Sequence, residues 1–448
     1  MKVILLAAGR SKRMQPIRDK NFLDFLGKPL IQWQLEMLWK TGFKDVAVVG
    51  GKHNLEAIAE LLKKIGKKVA LIEQKNLDMG MCGAVLAAKS FIGKDAVMVF
   101  SSNDVVEEKA FKVMLSAYKS GKASSYLIGK KVDKYFPGGY LKSDKKGFIS
   151  EIVEKPEPGK EPSNLINLVV HIHSDSAKLI KHLENVKSVK DDLYEVGLTN
   201  MIKDGVKMMA VPYDGFWQPL KFPWHVHSVF KYLFSISPKK RAKSAKIAKN
   251  AIINGDVIIA EKAVIFDGAV INGPAYIGEN TIVATNALVR DSHVGKNCII
   301  GFSTELARSH LGHDVWTHTN YVGDSVIGNN VSFGSGTVTG NLRLDEKNIC
   351  VDLDGNKIDT QTNKFGLICG DNVRVGINTS LMPGIKIGNN SFVGAGIVVP
   401  ENIPEGSYVR AKWELKISKN EACLESKGRA EMRKRMEKGI LFLVLFFC

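Results

Sequence analysis

From Ala251 onward a large aliphatic residue returns at every sixth position: Ile253, Ile259, Ile265, Ile271, Ile277, Val283 and Val289. Two places before each stand Ala251, Val257, Ala263, Ala269, Ala275, Thr281 and Ala287. A fixed six-residue period that couples a large aliphatic residue to a smaller one predicts a parallel β-helix, in which three hexads complete one triangular coil.

The period slips near Val294, returns at Val322-Gly323, Ile327-Gly328 and Phe333-Gly334, and resumes at Val375, Leu381, Ile387, Val393 and Val399. Between these blocks Asn341 to Lys364 breaks the repeat with many polar residues. It reads as a loop ejected from the coil, where such solenoids build binding sites.

Residues 1–225 follow another rule. Strand candidates Val3–Leu6, Val46–Val49, Val69–Ile72, Val97–Ser101, Ser125–Ile128 and Leu168–Ile172 alternate with helical patterns such as Pro29–Lys40 and Leu55–Lys64. The alternation predicts a mostly parallel sheet covered on both faces, with ligands at the carboxyl ends of its strands. A basic helical linker over 226–249 would join this domain to the solenoid of 250–413. In the tail, 414–448, Glu425 to Lys438 is a charged helical stretch, and the apolar run Ile440 to Cys448 is too short to span a bilayer. Docking on a partner subunit is the preferred reading of that run over a membrane-surface contact.

At 448 residues the chain exceeds one ordinary core. Its net charge of +17 suits polyanions, but the lysines are spread along the chain without a basic stripe interleaved with aromatics. That argues against nucleic acid and for small polyanionic substrates. The six cysteines lack paired or metal-type spacing, and no signal peptide precedes Val3, so a reducing cytoplasm is the expected compartment.

The chain opens MKVILLAAGRSKRM. An apolar strand running into Ala7, Ala8 and Gly9, followed by Lys12 and Arg13, lets backbone N–H groups and positive charge converge on phosphate. The spacing matches neither G-x-G-x-x-G nor G-x-x-x-x-G-K-[ST]. Leu6-Ala7-Ala8-Gly9, Arg13-Met14, Lys20 and Gly27-Lys28-Pro29 resemble the sugar-1-phosphate nucleotidylyltransferases, whose opening reads LAAG-x-G-T-R-M, then a catalytic Lys, then GKP. Ser11 and Lys12 replace the Gly-Thr of that pattern, which predicts a stiffer loop with one more charge.

The resemblance implies Leu6, Ala7, Ala8, Gly9, Gln74 and Gly80 on the nucleotide, with Arg13 and Lys20 catalytic. Asp104, after the apolar strand of VMVFSSND, takes the place of the ligand to Mg²⁺; read alone it fits a helix N-cap equally. Gly139, Glu154 and Lys155 of an EKP motif, and Asn167 would hold the sugar 1-phosphate. One position departs from the pattern. Where relatives carry W-x-D-x-x-x-P-W, with Asp as a second metal ligand, this chain reads Trp217-Gln218-Pro219-Leu220-Lys221-Phe222-Pro223-Trp224. Lys221 is the residue nearby that can supply charge instead.

In the solenoid, His318-Thr319-Asn320-Tyr321-Val322-Gly323-Asp324, then Gly334 to Thr337, Asn341-Leu342-Arg343, Lys364 and Pro383 to Gly388 resemble the acetyltransferase half of bifunctional sugar-1-phosphate nucleotidylyltransferase/acetyltransferases, the archaeal type above all. A neutral imidazole suits removal of a proton as an amine attacks a thioester. The resemblance implies His318 as that base, with Tyr321, Asn341 and Lys364 around the amino-sugar phosphate and acetyl-CoA as co-substrate. It covers Met1 to Trp413 and implies an α/β protein: a Rossmann-like mixed-sheet nucleotidyltransferase domain, then a left-handed parallel β-helix that assembles as a homotrimer. The implied function is nucleotidyl transfer from UTP or dTTP to a sugar 1-phosphate plus N-acetylation of glucosamine 1-phosphate, giving UDP-N-acetylglucosamine when both act in series. Two alternatives stay open: a single-activity glucose-1-phosphate thymidylyl- or uridylyltransferase with a structural β-helix, and a non-catalytic regulatory subunit, which Pro219 favours.

Overall fold

A computed structural model describes residues 1–189, 192–412 and 414–420, with 431, 433, 434 and 436 in the tail. Met1–Arg410 forms one compact unit and Ala411–Cys448 a second. In the second, 414–420 carry no regular structure and the four further described residues are helical. The apolar run Ile440 to Cys448 and most of the charged stretch before it lie outside the described residues. No helix of the described residues is long and apolar enough to cross a membrane.

The first half is built on a nine-stranded mixed sheet. Its centre is parallel: Lys2–Leu6 lies between Val46–Gly51 and Val97–Ser101, and Ala70–Gln74 flanks Val46–Gly51. Leu165–His173 then runs antiparallel to both Val97–Ser101 and Ser125–Lys131. The central strands are apolar throughout because both faces are covered. Val3, Leu5, Val48 and Met98 enter one buried cluster, while Ile4, Leu6, Ala47 and Val99 enter the other. Parallel register brings Leu6, Gly51, Gln74 and Ser101 to one edge of the sheet, and the open cleft lies there.

The expected linker is helical only over Val226–Ser235. Arg241 already bridges Ile259, and Lys246–Ile247 pairs with Val264–Ile265, so the coil starts inside the segment read as a connector. The basic run Lys239-Lys240-Arg241, inside the expected helical linker, instead leads into the first turn of the solenoid.

Three stacks of short parallel strands form the faces of the β-helix. Ile253 pairs with Ile271 and Ile271 with Val289, so each of these turns takes three full hexads. Val289 then pairs with Leu306, and Leu306 with Val322, each return coming earlier than a full set of hexads would bring it. The six-residue period slips near Val294 because corners lose residues while the stacking continues. Thr339 next pairs with Leu381, and what that interval holds beyond one full turn is the length of Asn341 to Lys364, the stretch that leaves the coil. Asn280, Asn297, Asn330, Asn372 and Asn390 take positive φ at corners, a region Asn tolerates better than other residues with a Cβ.

One face of the coil is not solvated. Ile258, Tyr276, His293, His310, Val326 and Ile368 stack in register along it, alternating with core residues such as Ile277, Val294, Leu311 and Ile327. Tyr276, Val326 and Ile368 pack in a single buried cluster with Met14 and Phe25 of the first half and with Val229 and Phe230 of the helix Val226–Ser235. Leu26 N–H donates to His293 Nε2 at 3.0 Å, and Asp24 lies 3.3 Å from the same nitrogen. The two halves therefore share a core.

Candidate active sites

The strand Lys2–Leu6 ends in a loop that a polar network holds rigid. Asn21 and Asn54 both donate to the Ala7 carbonyl, at 3.0 and 2.9 Å, and Ala7 N–H donates to Val49. Ser11 adopts φ 51°, a conformation that favours the glycine of the related pattern. Its hydroxyl accepts from Lys20 N–H at 3.4 Å, which ties the loop to the short turn Lys20–Phe22. Beyond Gly9 and its chain neighbours, no atom of the described residues lies within 4 Å of where a Cβ on Gly9 would stand, so a phosphate can approach its backbone.

Leu6, Ala8, Gly9, Arg13, Gln74 and Gly80 line one cleft of about 330 Å³, together with Asp104, Gly139, Glu154, Lys155 and Asn167. Two expected residues do not line it. Ala7 is buried with its backbone groups engaged, so it belongs to the frame that holds the loop. Lys20 is buried too, and burial lowers its pKa to about 8, against the pull of Asp19 and Asp104. Its charge still acts on the cleft, where Asp104, Lys221 and Arg13 are its electrostatic neighbours. Gln74 spends its amide N–H₂ on the carbonyls of Asn76 and Gly80, both at 2.9 Å, which leaves its oxygen as the acceptor of that side chain.

Asp104 is buried, and burial raises its pKa above the ordinary carboxylate range, opposed by Lys221, by the Trp217 N–H and by Lys20. Trp217 Nε1 donates to Asp104 Oδ1 at 2.8 Å. The strand Trp217–Pro219 runs antiparallel to Asp104–Val106 with Pro219 directly opposite Asp104, so position 219 shares a sheet face with the carboxylate. Among the described residues no group of three or more His, Cys, Asp or Glu gathers as a metal cage. Magnesium commonly takes one or two carboxylates plus substrate phosphates, and Asp104 supplies one. The residues fit an ion that arrives with the nucleotide.

Lys221, two residues past the missing carboxylate, stands 4.6 Å over the Phe136 ring, with Nζ 3.5 Å from the Pro137 carbonyl. Burial lowers its pKa and Asp104 opposes that shift. On the sugar side a Cβ on Gly139 would come within 2.9 Å of Glu154 Oε2, so only glycine leaves that carboxylate in place. His171 Nε2 lies 2.9 Å from Asn167 Oδ1, and Tyr194 fixes the other ring nitrogen at 3.0 Å. The Asn167 amide N–H₂ is thereby turned to the cleft as a donor. Trp217, Phe136 and Glu195, which also line the cleft, escaped the sequence reading. Of these, Trp217 alone carried a signal, as the first letter of the altered W-x-D pattern.

Three of the four residues expected in the solenoid, Tyr321, Asn341 and Lys364, gather around Asp324. Asn341 Nδ2 donates to the Tyr321 hydroxyl at 3.0 Å and to Asp324, which Arg308 grips through two hydrogen bonds of 2.6 and 2.7 Å. Lys364 bridges Leu342 at the neck of the ejected loop and lines a cavity of about 330 Å³ with Arg308 and Asp324. His318 is exposed, three residues before Tyr321. Buried Asn320 accepts from its N–H at 2.7 Å and Thr304 donates to its carbonyl at 2.6 Å. The backbone is thus fixed while the ring faces outward.

Comparison with known proteins gives the same picture. The nucleotidyl transferase family model matches residues 2–220. A protein of Sulfurisphaera tokodaii named bifunctional sugar-1-phosphate nucleotidylyltransferase/acetyltransferase is 33% identical over 92% of this chain and 100% of its own length. The bifunctional protein GlmU of Methanococcus maripaludis is 36% identical over 94% of this chain and 99% of its own. Among solved structures, a UDP-glucose pyrophosphorylase complexed with UDP-glucose is similar over 53% of this chain and 99% of its own, at 21% identity and a TM-score of 0.46. With both halves matched along nearly their whole length, the chain belongs to the bifunctional sugar-1-phosphate nucleotidylyltransferase/acetyltransferase family.

Proposed function

We propose that the chain N-acetylates glucosamine 1-phosphate with acetyl-CoA at the solenoid site, and at the sheet site joins the product to UTP, or to dTTP, with release of pyrophosphate. The observation that carries the reading is the convergence of residues from separate segments all along the first half, between Leu6 and Lys221, on one cleft.

In the first reaction His318 takes a proton from the amine as nitrogen attacks the thioester carbon, and the coenzyme leaves as its thiol. Asn341, Tyr321 and Lys364 hold the sugar phosphate. In the second, a sugar-phosphate oxygen attacks the α-phosphorus of the triphosphate. Positioning and charge neutralisation do most of the catalysis. Glu154 and Asn167 orient the sugar, Lys155 its phosphate, and Arg13, Lys20 and Lys221 face the charge that builds on the departing pyrophosphate. Asp104 would hold Mg²⁺, which when bound supplies positive charge to the phosphate oxygens. The exposed His318 ring fits a site completed by neighbouring copies in a homotrimer, and the scattered free cysteines fit the cytoplasm.

The test is a matrix assay: pyrophosphate release for UTP and dTTP against glucose, glucosamine and N-acetylglucosamine 1-phosphates, beside thiol release from acetyl-CoA with glucosamine 1-phosphate. Activity in both arms is expected. Thiol release without pyrophosphate release would leave Pro219 as the mark of a nucleotide site that binds without turnover, and silence in both arms would leave a regulatory subunit.

A further inference from the structure

Behind Asn167, on the sugar side of the nucleotide cleft, runs a file of polar groups that the proposed chemistry does not use. Ser125, His171, His173 and Tyr194 are all buried. Their hydrogen bonds join end to end: Ser125 Oγ with His173 Nδ1 at 2.9 Å, His173 Nε2 with the Tyr194 hydroxyl at 3.1 Å, that hydroxyl with His171 Nδ1 at 3.0 Å, and His171 Nε2 with Asn167 Oδ1 at 2.9 Å. A bulge makes the last link. Residues four apart on a regular strand stand about 13 Å from one another, but the strand Leu165–His173 shifts register between Leu168 and His171, which lets His171 reach back to Asn167.

The file has a direction. Burial pushes the His171 pKa well below its usual value and that of His173 to about 3, so each imidazole is neutral and carries a single N–H. With both nitrogens of each ring engaged, one donates and the other accepts, and the Tyr194 O–H goes to only one of its two neighbours. Every link therefore points the same way, and the Asn167 amide at the end decides which. Its oxygen faces His171 Nε2. Its nitrogen lies toward Gly139, where the Glu154 carboxylate also comes in: a Cβ on that glycine would stand 2.9 Å from Glu154 Oε2 and 3.9 Å from Asn167 Nδ2. Turned over, the amide would set its oxygen against that carboxylate, acceptor against acceptor. The hydrogen bonds accordingly run from Ser125 through His173, Tyr194 and His171 into Asn167, whose N–H₂ is left for the cleft.

We infer that His171, with Tyr194 and His173 behind it, is a positioning residue for nucleotidyl transfer: it locks Asn167 as a donor, so that the sugar 1-phosphate is held there through an acceptor oxygen, carbonyl or hydroxyl. The inference rests on the nucleotidyl transfer proposed above.

Steady-state kinetics of the full chain test it, with pyrophosphate release from UTP and N-acetylglucosamine 1-phosphate as the readout. His171→Leu, which deletes the donor to Asn167, should raise KM for the sugar 1-phosphate several-fold and leave KM for UTP unchanged. His171→Gln, whose amide N–H can stand in for that of the imidazole, should recover part of the loss. The double variant of Asn167→Ala and His171→Leu should be no worse than Asn167→Ala alone, because His171 acts only through that amide. Tyr194→Phe, which breaks the file one link further back, replaces His171→Leu in the cycle should the leucine variant fail to fold. An unchanged KM for the sugar 1-phosphate, an equal rise in KM for UTP, a glutamine variant as impaired as the leucine one, or losses that add across the pair overturn the positioning role and leave nucleotidyl transfer standing. No pyrophosphate release by the unaltered chain overturns reaction and positioning role together.

Discussion

Lys20 keeps a charge in a place that resists charge. Its pKa of about 8 follows from burial, which Asp19 and Asp104 only partly offset. Its cation, buried beside the cleft, is therefore present below about pH 8 and lost above it, so in the proposed nucleotidyl transfer kcat/KM should fall with rising pH on a limb near 8, while acetyl transfer does not follow it. Lys20→Arg should move that limb upward, since guanidinium keeps its proton; an unmoved limb would assign the titration elsewhere. Pro219 makes a second test. Because it stands opposite Asp104, Pro219→Asp should lower the Mg²⁺ concentration that half-saturates nucleotidyl transfer several-fold, and an unchanged requirement would show that the second carboxylate position is not in reach of the ion. Asp104 and Glu154 were legible in the sequence as cleft residues because each sits in a short contiguous motif. The Trp217 contact was not, since its partner Asp104 lies far back along the chain, and neither was the retreat of Ala7 from the cleft, which depends on Asn21 and Asn54 seizing its carbonyl.

At the scale of the element, the hexads announced the coil because inward residues must recur at a fixed period when turns stack flat. The corners hid its irregularity. The shorter turns from Val289 to Leu306 and from Leu306 to Val322 leave the strands stacked and remove only corner residues, which no apolar period records. Those corners run on asparagine: Asn330 Nδ2 donates to Asn372 Oδ1 at 2.8 Å, and Asn372 Nδ2 to Asn390 Oδ1 at 2.9 Å, both at positive φ along with Asn390. Asn372→Ala should destabilise by about 1–2 kcal/mol in denaturant unfolding, from left-handed strain together with lost hydrogen bonds. Asn372→Gly should recover the strain part, and a glycine variant as unstable as the alanine one would assign the whole cost to the hydrogen bonds. The ejected loop was legible in place and length, but not as a hairpin, because its burial depends on Trp224 in the other half.

Across the whole molecule, the two halves were legible as separate and the surface between them was not. Tyr276, His293, His310 and Val326 lie next to the inward positions Ile277, Val294, Leu311 and Ile327 and so outside the apolar period, yet they are buried. Burial pushes the His310 pKa well below its usual value, helped by the neighbouring His293, His227 and His313, and neither ring nitrogen has a hydrogen-bond partner among the described residues. Below about pH 6.5 the unfolded chain binds protons that the folded one refuses, so stability should fall as pH drops from about 7.5 to about 5.5. His310→Phe should flatten that loss in thermal unfolding; an identical slope would remove His310 from the account. The shared core also predicts that Met1–Arg410 melts in one transition, where two separated transitions would mean that the halves are energetically independent. The central claim, two chemistries at two sites on one chain, is tested most directly by assaying Lys20→Ala and His318→Ala side by side for pyrophosphate release from UTP with N-acetylglucosamine 1-phosphate and for thiol release from acetyl-CoA with glucosamine 1-phosphate. Lys20→Ala should lose the first and keep the second, and His318→Ala the reverse; a variant that loses both, or neither, would contradict it.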